Sequence, residues 1–552
     1  MLALVAALTV SVPILNAGTR LFCGYFGGDP SDVRYVGNCR VLTPGHVAEA
    51  TPDMDIILSL NNVDFRPSRN LPQAPSNCAV MWDKVSGIVG DYRTRIRAIL
   101  LRENAFDVYT FDQINTICRE ARRVFPGVPI GTCEEQGTLN RYGYPGGCGT
   151  YFDRSFFLGY MSPSNDANWF ADRMRFVNND VSGAAGGLPY VLIAPCGEGP
   201  ELHLSSLPGQ GWFPSFRKPS ATELFWYYRA AVNNPRITGL LFYTYAPGQT
   251  LGFDSSIFRN LLTLQEEIGW RITANDMDGR CRRDAPVADD ATVENDGTVT
   301  TVGDFLPHLS VGDYEDGGKM IERRGVVEFS FAPIPRNASI VRATLMLLLG
   351  DAGDRFAAIV GTAPTDVHVD LIAGDGDVTT TDFDRTPLMT DIGVLLKTGE
   401  VKPHQWCTLD VTDAARAIWK RGDDYCSFRL EGTIPTNKNG TPDFFRFSAR
   451  ETYETRPVLR IEFTLPGFSV VTDALPNASV GHAYETWLTA LQGAFPYTWD
   501  FEGTLPNGLF FTTETGRLFG TPTAGGRFPA TFIARDQNGN AARRTLTLMV
   551  GN

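Results

Sequence analysis

The sequence predicts a multidomain protein, a (β/α)8 barrel followed by two all-β sandwich modules. From Arg20 to about Ile272, short apolar runs alternate with amphipathic stretches, which is typical of strands and helices in turn. From Asp284 to Phe463, alternating strand patterns are separated by turns rich in glycine, aspartate and proline. The last residues, from Gly467, are again all β. We therefore expect modules at 20–275, 284–464 and 466–552, a division that suits a chain of 552 residues.

The first module contains continuous apolar runs separated by helical patterns, which indicates a parallel sheet covered on both faces. The predicted strands are Leu21–Phe26, Asp55–Leu60, Ile96–Leu101, Val128–Thr132, Phe156–Tyr160, Tyr190–Ala194 and Ile237–Tyr243. Seven strands in about 250 residues fit a (β/α)8 barrel, with the eighth strand expected between Asn61 and Arg95. A doubly wound open sheet is the alternative, and it is less favoured because no glycine fingerprint follows the first strand.

Residues 1–17 are apolar and carry no charged side chain. They are short for a membrane span, which needs about 20 residues, and small residues follow them at a position suited to cleavage. We interpret them as a secretory signal peptide, with a buried N-terminal strand as the alternative. The protein is therefore expected to be secreted or attached to the cell surface.

The charge excludes one class of partner. The chain has 49 Lys and Arg against 62 Asp and Glu, a formal net charge of −13, and no basic run. Nucleic-acid binding needs a basic face, so no nucleic-acid partner is expected. The barrel region has only His46 and His203, which argues against a histidine-rich metal centre, and it lacks both the G-x-S-x-G elbow and a phosphate-binding loop.

Ten cysteines without a CxxC pair favour disulfides over a zinc site. Pairing among the first eight is left open. Cys407 and Cys426 are the only two in the second module, and we expect them to form a bridge. Sequons at Asn337, Asn439 and Asn477 would permit glycosylation.

The last module carries three segments that point to one family. LPNASVGHAYETWLTALQG (475–493), PYTWDFEGTLPNGLFF (496–511) and TGRLFGTPTAGGRF (515–528) occur in that order. Glycines at 508, 516 and 520 suit turns, and Trp499 suits a core position. This region resembles the immunoglobulin-like domain of large bacterial surface proteins. The resemblance implies a spacer or adhesive block without catalytic residues.

The middle module also has a characteristic set of segments: GVVEFSFAPIPRNASIVRATLMLLL (325–349), WCTLDVTDAARAIW (406–419) and FRFSARETYETRPVLRIEF (445–463). Asp410 and Thr412 close a strand and suit the start of a short helix. These segments resemble the DNRLRE-type module, a β-sandwich related to disaggregatase repeats and grouped with carbohydrate-binding modules. The resemblance implies glycan binding.

The strand Ile96–Leu101 is followed by Arg102, Glu103 and Asn104. With PYVLIAPCGEG (189–199) and SATELFWYYRAAVNNPRITGLLFYTYAPG (220–248), this segment resembles (β/α)8 glycoside hydrolases, which often carry a Glu after the fourth strand. Such hydrolysis needs two carboxylates about 5 to 10 Å apart. Glu103 is the candidate acid/base, and Glu134 or Glu198 is the candidate partner.

Sugar rings stack on aromatic side chains, so a glycan cleft needs Trp and Tyr in its loops. The candidates near strand ends are Tyr25, Tyr142, Trp169, Trp212, Tyr243 and Tyr245. No cofactor is expected. The acidic runs Asp375–Asp377 and Asp382–Asp384 would allow a structural Ca²⁺, but turn capping by aspartate explains them better.

Two functions follow from these patterns. The first is an exported glycoside hydrolase that acts on a polysaccharide or cell-surface glycan. The alternative is a non-catalytic structural or adhesive glycoprotein of an extracellular appendage, filament or matrix, in which the modules would self-assemble.

Overall fold

The structure is a computed structural model that describes part of the chain. In the first 280 residues it describes 22–26, 38–61, 63, 78–103, 105–134, 154–158, 190–195, 227, 231 and 237–243. From 281 to 551 it describes nearly every residue; the gaps are 302–307, 333, 351–355, 362–365, 403, 433–442, 451, 453–454, 473, 494–496, 514–515 and 537. Residue 62 also lies outside the described residues.

The first described sheet has eight strands, and every neighbouring pair is parallel. The strands are β1 Phe22–Phe26, β2 Cys39–Leu42, β3 Asp55–Ser59, β4 Ile96–Glu103, β5 Ile130–Glu134, β6 Arg154–Leu158, β7 Tyr190–Pro195 and β8 Ile237–Tyr243. Their order is β1-β8-β7-β6-β5-β4-β3-β2. The two strands at the ends of this order, β1 and β2, approach within 8 Å between Cα atoms.

The eighth strand is not where the sequence predicted it. Residues 61–95 contain helix α1, Cys78–Val89, and a 3-10 helix, Gly90–Arg95, whereas the additional strand is Cys39–Leu42. This strand has only four residues, and one of them is Arg40. Arg40 is buried because its guanidinium donates to the Glu49 carbonyl oxygen at 2.8 Å and pairs with the Glu49 carboxylate at 3.5 Å. A buried arginine interrupts the apolar pattern, so the strand escaped prediction.

A short helix and a longer one follow β4. Helix α2 is Ala105–Val108, and α3 is Phe111–Val124. Thr110 and Gln113 form a capping box at the start of α3, which satisfies two backbone donors. Ile114, Ile117 and Ala121 lie on its buried face. None of the described helices is long and apolar enough to cross a membrane.

The second sheet has thirteen strands, all antiparallel to their neighbours. They are β9 Cys281–Ala285, β10 Val287–Glu294, β11 Val299–Thr301, β12 His308–Asp316, β13 Lys319–Ser330, β14 Ser339–Leu349, β15 Ile359–Val360, β16 Val367–Ile372, β17 Met389–Leu396, β18 Gln405–Asp410, β19 Tyr425–Gly432, β20 Asp443–Ser448 and β21 Val458–Thr464. Helix α4, Thr412–Arg421, covers β14. The strands enclose one hydrophobic core that includes Phe329, Leu345 and Phe428.

The expected bridge between Cys407 and Cys426 is not formed, because both thiols are free and buried. Cys407 lies on β18, which pairs with β14, whereas Cys426 lies on β19, which pairs with β13 and β16. The two cysteines therefore enter the core from strands that do not pair with each other. Burial raises the pKa of the Cys407 thiol to about 12, so it stays protonated. The other described cysteines, at positions 39, 78, 118 and 133, are also free and buried.

The last region contains three small sheets. The strands are β22 Ser469–Val470, β23 Ala478–Ser479, β24 Tyr484–Trp487, β25 Ala490–Leu491, β26 Thr498–Gly503, β27 Leu509–Thr512, β28 Arg517–Gly520, β29 Gly526–Arg535 and β30 Ala541–Gly551. The two larger sheets run β23-β30-β29-β26 and β24-β28-β27. Trp499 lies in their common core, as predicted, together with Leu518 and Phe532. Gly516 has a φ of +70°, and a Cβ there would approach Trp499 Cε2 at 2.8 Å.

The second sheet contacts the first at the amino ends of its strands. Asp53 lies just before β3, and it forms ion pairs with Arg282 of β9, at 3.1 Å, and with Arg460 of β21. Nearby, Trp406 Nε1 donates to the Ala48 carbonyl oxygen at 2.7 Å, and the Tyr92 hydroxyl donates to the His404 carbonyl oxygen at 2.7 Å. These contacts lie on the side opposite the carboxyl ends of β4 and β5.

Candidate active site

Glu103 and Glu134 are the last residues of two neighbouring parallel strands. Glu103 ends β4 and pairs in register with Cys133, while Glu134 ends β5 and pairs with Phe157 of β6. Because neighbouring strands are about 4.8 Å apart and each residue advances about 3.3 Å, the two glutamate Cα atoms lie about 6 Å apart. The backbone therefore brings two of the predicted acids to the same edge of the sheet.

The end of β4 is irregular just before Glu103. The pairing of β4 with β5 shifts register between Leu100 and Glu103, which is a β-bulge or a similar irregularity. In this interval the Thr132 hydroxyl donates a 3.1 Å hydrogen bond to the Arg102 carbonyl oxygen. Bulges redirect the residues that follow them and are frequent beside active sites. Thr132 fixes the backbone that carries Glu103, a role that no sequence motif indicated.

The strands behind the two glutamates form a rigid base. Ile99, Leu100, Ile130 and Cys133 are fully buried, and Thr132 is buried with them. A site held on packed strands keeps its backbone geometry better than a site held on loops. The base therefore holds the backbone at the ends of β4 and β5 in place.

The third candidate acid, Glu198, lies three positions after the end of β7 and outside the described residues. Tyr25 and Tyr243 belong to β1 and β8, and these strands are neighbours: Tyr25 pairs with Phe242, and Phe26 pairs with Tyr243. Both tyrosines therefore reach the same carboxyl edge of the sheet. The other aromatic candidates, Tyr142, Trp169, Trp212 and Tyr245, lie outside the described residues.

The second sheet carries an open groove of 670 Å³ at the start of helix α4. Its lining residues are Val341, Arg342, Met389, Ile392, Asp410, Val411, Thr412, Asp413, Ala414 and Arg416. No aromatic side chain is among them, so the groove lacks a stacking surface for sugar rings. Asp410 ends β18 as predicted, and its carboxylate accepts from Thr412 N at 3.0 Å and from the Thr412 hydroxyl at 2.6 Å. The N-cap residue of helix α4 is Val411, which offers no side-chain cap.

The acidic runs considered for Ca²⁺ are engaged in local contacts. Asp375 accepts from the Asp377 backbone N–H at 3.2 Å, and Asp382 accepts from Thr379 N at 2.7 Å. Asp382 also pairs with Arg385 at 3.0 Å. Within the described ranges, no group of three His, Cys, Asp or Glu residues is arranged to hold a metal ion. Of the three sequons, Asn337 and Asn477 are exposed, and Asn439 lies outside the described residues.

Residues 467–551 match the family described as "Putative Ig domain". This finding agrees with the two sheets packed around Trp499. No curated protein shows significant similarity to the chain.

Several solved structures are similar to the chain at low identity. A calcium-binding mutant of Bacteroides uniformis beta-glucuronidase 2 is 8% identical, with 81% of this chain and 65% of that chain covered and a TM-score of 0.30. A Cellulomonas fimi endo-beta-1,4-mannanase double mutant is 10% identical, covering 56% and 91%, with a TM-score of 0.30. A "putative alpha-galactosidase" from Bacteroides fragilis is 21% identical over 15% of this chain, has a TM-score of 0.14, and is matched over only 18% of its own length.

Proposed function

We propose that the protein is an exported glycoside hydrolase that acts on a polysaccharide, with its active site at the carboxyl edge of the eight-stranded parallel sheet. The observation that carries this proposal is the placement of Glu103 and Glu134 at the ends of neighbouring strands. Two carboxylates at a fixed short separation are the minimum that glycosidic bond cleavage requires. The carboxyl edge is also where active sites of (β/α)8 enzymes are found.

The proposed fold of the first module is a closed (β/α)8 barrel. The strand order returns from β2 to β1, and these two end strands approach within 8 Å between Cα atoms. Closure would leave no exposed sheet edge and would bring the ends of all eight strands around one opening. The ends of β1 and β8, which carry Tyr25 and Tyr243, would then border the same opening as the ends of β4 and β5.

In the proposed reaction, protonated Glu103 donates its proton to the glycosidic oxygen as the bond from that oxygen to the anomeric carbon breaks. The second carboxylate either attacks the anomeric carbon or removes a proton from a water molecule that attacks it. Water supplies the hydroxyl of one product, and the departing oxygen keeps the proton from Glu103. Glu134 and Glu198 are the candidates for this second carboxylate.

The position of the second sheet supports access to this site. Its contacts with the first sheet lie at the amino ends of the strands, through Asp53, Trp406 and Tyr92. The carboxyl edge is therefore not the surface that these contacts cover. We propose that the middle module and the immunoglobulin-like module hold the enzyme on an extracellular glycan, which raises the local concentration of substrate.

The test is hydrolysis of a panel of polysaccharides by the full chain, with release of reducing ends as the readout. Glu103→Gln and either Glu134→Gln or Glu198→Gln should each lower activity by at least about a hundredfold, which is the usual contribution of a positioned acid or base. Glu120→Gln is the matched control, because Glu120 pairs with Arg123 on the outer surface of α3. An inactive wild-type protein across the panel would favour the structural or adhesive alternative.

A further inference from the structure

A cluster of cationic and aromatic side chains lies on one face of the second sheet. We call it the Arg446 cluster; it consists of His308 of β12, Arg323 of β13, Arg446 and Phe444 of β20, and Phe356. Arg446 is in register with Ser310, and both Arg323 and Phe444 are in register with Gly312. Residues in register on antiparallel strands share a face of the sheet, so these side chains are neighbours.

Two arginines lie near one aromatic ring beside Gly312. The φ of Gly312 is +147°, and a Cβ there would lie 2.1 Å from the Asp443 carbonyl oxygen, so the position requires glycine. The guanidinium carbon of Arg323 lies 4.8 Å from the centre of the Phe444 ring. The guanidinium carbon of Arg446 lies 5.8 Å from the same ring.

The two arginines differ in whether a carboxylate balances their charge. Arg323 Nε forms a 2.7 Å ion pair with Glu294, whose carboxylate also accepts from the Tyr314 hydroxyl at 3.2 Å. Arg446 is half-buried, and among the described residues it has no carboxylate partner and its buried Nε has no acceptor. A partly dehydrated cation without a counter-ion is unfavourable, so this position is suited to an added anion.

His308 provides an independent observation at the same place. Its side chain is 8% exposed, and its buried Nδ1 has no hydrogen-bond partner in the described part of the chain. Its ring lies 4.9 Å from the ring of Phe356. Burial, followed by the charges of Arg446 and Arg323, lowers the pKa of His308 from 6.5 to about 4, so the ring is neutral at pH 7. In the tautomer that carries its proton on Nδ1, the neutral imidazole can donate a hydrogen bond from Nδ1 to an added acceptor.

We propose that the Arg446 cluster binds an oxyanion, either the carboxylate of an acidic sugar or a sulfate or phosphate group. The Nε–H of Arg446 and the Nδ1–H of His308 donate to its oxygens. The site holds two arginines against one glutamate, so an anion brings its charges close to balance. The inference does not depend on the proposed hydrolase site, because it concerns a different sheet and requires no catalysis.

The experiment is calorimetric titration of the full chain with glucuronate, glucose, sulfate and phosphate in separate arms. Saturable binding of glucuronate but not of sulfate or phosphate assigns the site to acidic sugars, and binding of sulfate or phosphate assigns it to those anions. Glucose should not bind at this site. If none of the three anions binds, the proposal is wrong.

The variants locate the site. Arg446→Met should weaken anion binding at least about tenfold, because it removes the charge-assisted donors. Arg446→Lys keeps the charge but loses the planar donor group, so it should fold and bind more weakly than the wild type. Arg342→Met removes an exposed arginine of the same module and should bind like the wild type. Unchanged binding by both Arg446 variants would overturn the proposal.

Discussion

The indole Nε1 of Trp406 donates a 2.7 Å hydrogen bond to the carbonyl oxygen of Ala48, so a side chain of the second sheet holds the loop between β2 and β3. Trp406→Phe keeps an aromatic ring but leaves this carbonyl without its donor. The loss should cost about 1 to 3 kcal/mol in the free energy of unfolding. Urea denaturation and limited proteolysis together measure the effect, with cleavage expected within residues 43–54.

Trp419→Phe is the matched control for this prediction. Trp419 Nε1 donates to the Ala338 carbonyl oxygen at 3.0 Å, and both residues belong to the second module. The control should lose stability without exposing residues 43–54 to protease. Equal cleavage of that loop in both variants would show that the Trp406 contact does not hold the two sheets together.

Asp53 should make the contact between the two sheets sensitive to acid. Burial acts to raise the pKa of Asp53, but the charges of Arg460 and Arg282 outweigh it and lower the pKa from 3.8 to about 2. The stabilisation is therefore complete above the unfolded pKa near 3.8 and is lost as the pH falls through about 2. Because 35% of the side chain is exposed, water screens the ion pairs, and we expect only about 1 kcal/mol.

The measurement for Asp53 is the free energy of unfolding of the wild type and Asp53→Asn at neutral and acidic pH. The variant should be less stable at pH 7, and the difference should shrink as the pH approaches about 2. Asp83→Asn is the control, since the pair of Asp83 with Arg123 is exposed. A difference that stays constant with pH would contradict the assignment.

Glu328 should have the opposite dependence on pH. Burial raises the pKa of Glu328 from 4.5 to about 7, against a hydrogen bond from the Gly376 backbone N–H, while Asp375 and Asp382 add to the increase. The folded state therefore binds the proton more tightly than the unfolded state. Stability should be greatest below about pH 4.5 and should fall as the pH rises through about 7.

Glu328→Gln removes this titration. The amide oxygen of Gln can still accept from Gly376 N, which donates to Glu328 Oε2 at 2.6 Å. Relative to the wild type, the variant should gain about 2 to 3 kcal/mol in the free energy of unfolding between pH 4.5 and pH 8, since Glu328 is fully buried. Parallel stability curves across that pH range would show that Glu328 does not titrate there.

Gly516 should be essential to the immunoglobulin-like module. Gly516→Ala places a Cβ 2.8 Å from the Trp499 ring at a φ of +70°, so it should cost about 2 to 4 kcal/mol from overpacking and backbone strain together. Gly481→Ala is the control, because it has a φ of +75° with nothing within 4 Å of the added Cβ. The control should lose about 1 kcal/mol. Equal losses would mean that packing against Trp499 contributes nothing.

The sequence was informative where one local pattern decides the structure. Apolar runs located β3, β4, β7 and β8. Contacts between residues far apart in the sequence left no such pattern. Arg40 is buried in β2 beside Glu49, and Asp53 meets Arg460, which is 407 residues away along the chain.

Part of the candidate site was predictable because it follows from local apolar patterns. Glu103 and Glu134 were found because each follows an apolar strand, and parallel pairing then places them together. Thr132 and the irregular register before Glu103 depend on how two strands align, which no single segment specifies. The Cys407 and Cys426 prediction failed because it rested on their being the only two cysteines of the second module, whereas strand neighbours decide which thiols can meet.

The most direct test of the proposed role of Glu103 is the dependence of hydrolysis on the leaving group. An acid catalyst matters most when the departing oxygen is a poor leaving group, as in a natural polysaccharide. We therefore predict that Glu103→Gln lowers kcat/KM on the polysaccharide at least about a hundredfold but affects a dinitrophenyl glycoside of the same sugar far less. Equal losses on both substrates, or wild-type activity in the variant, would contradict the account.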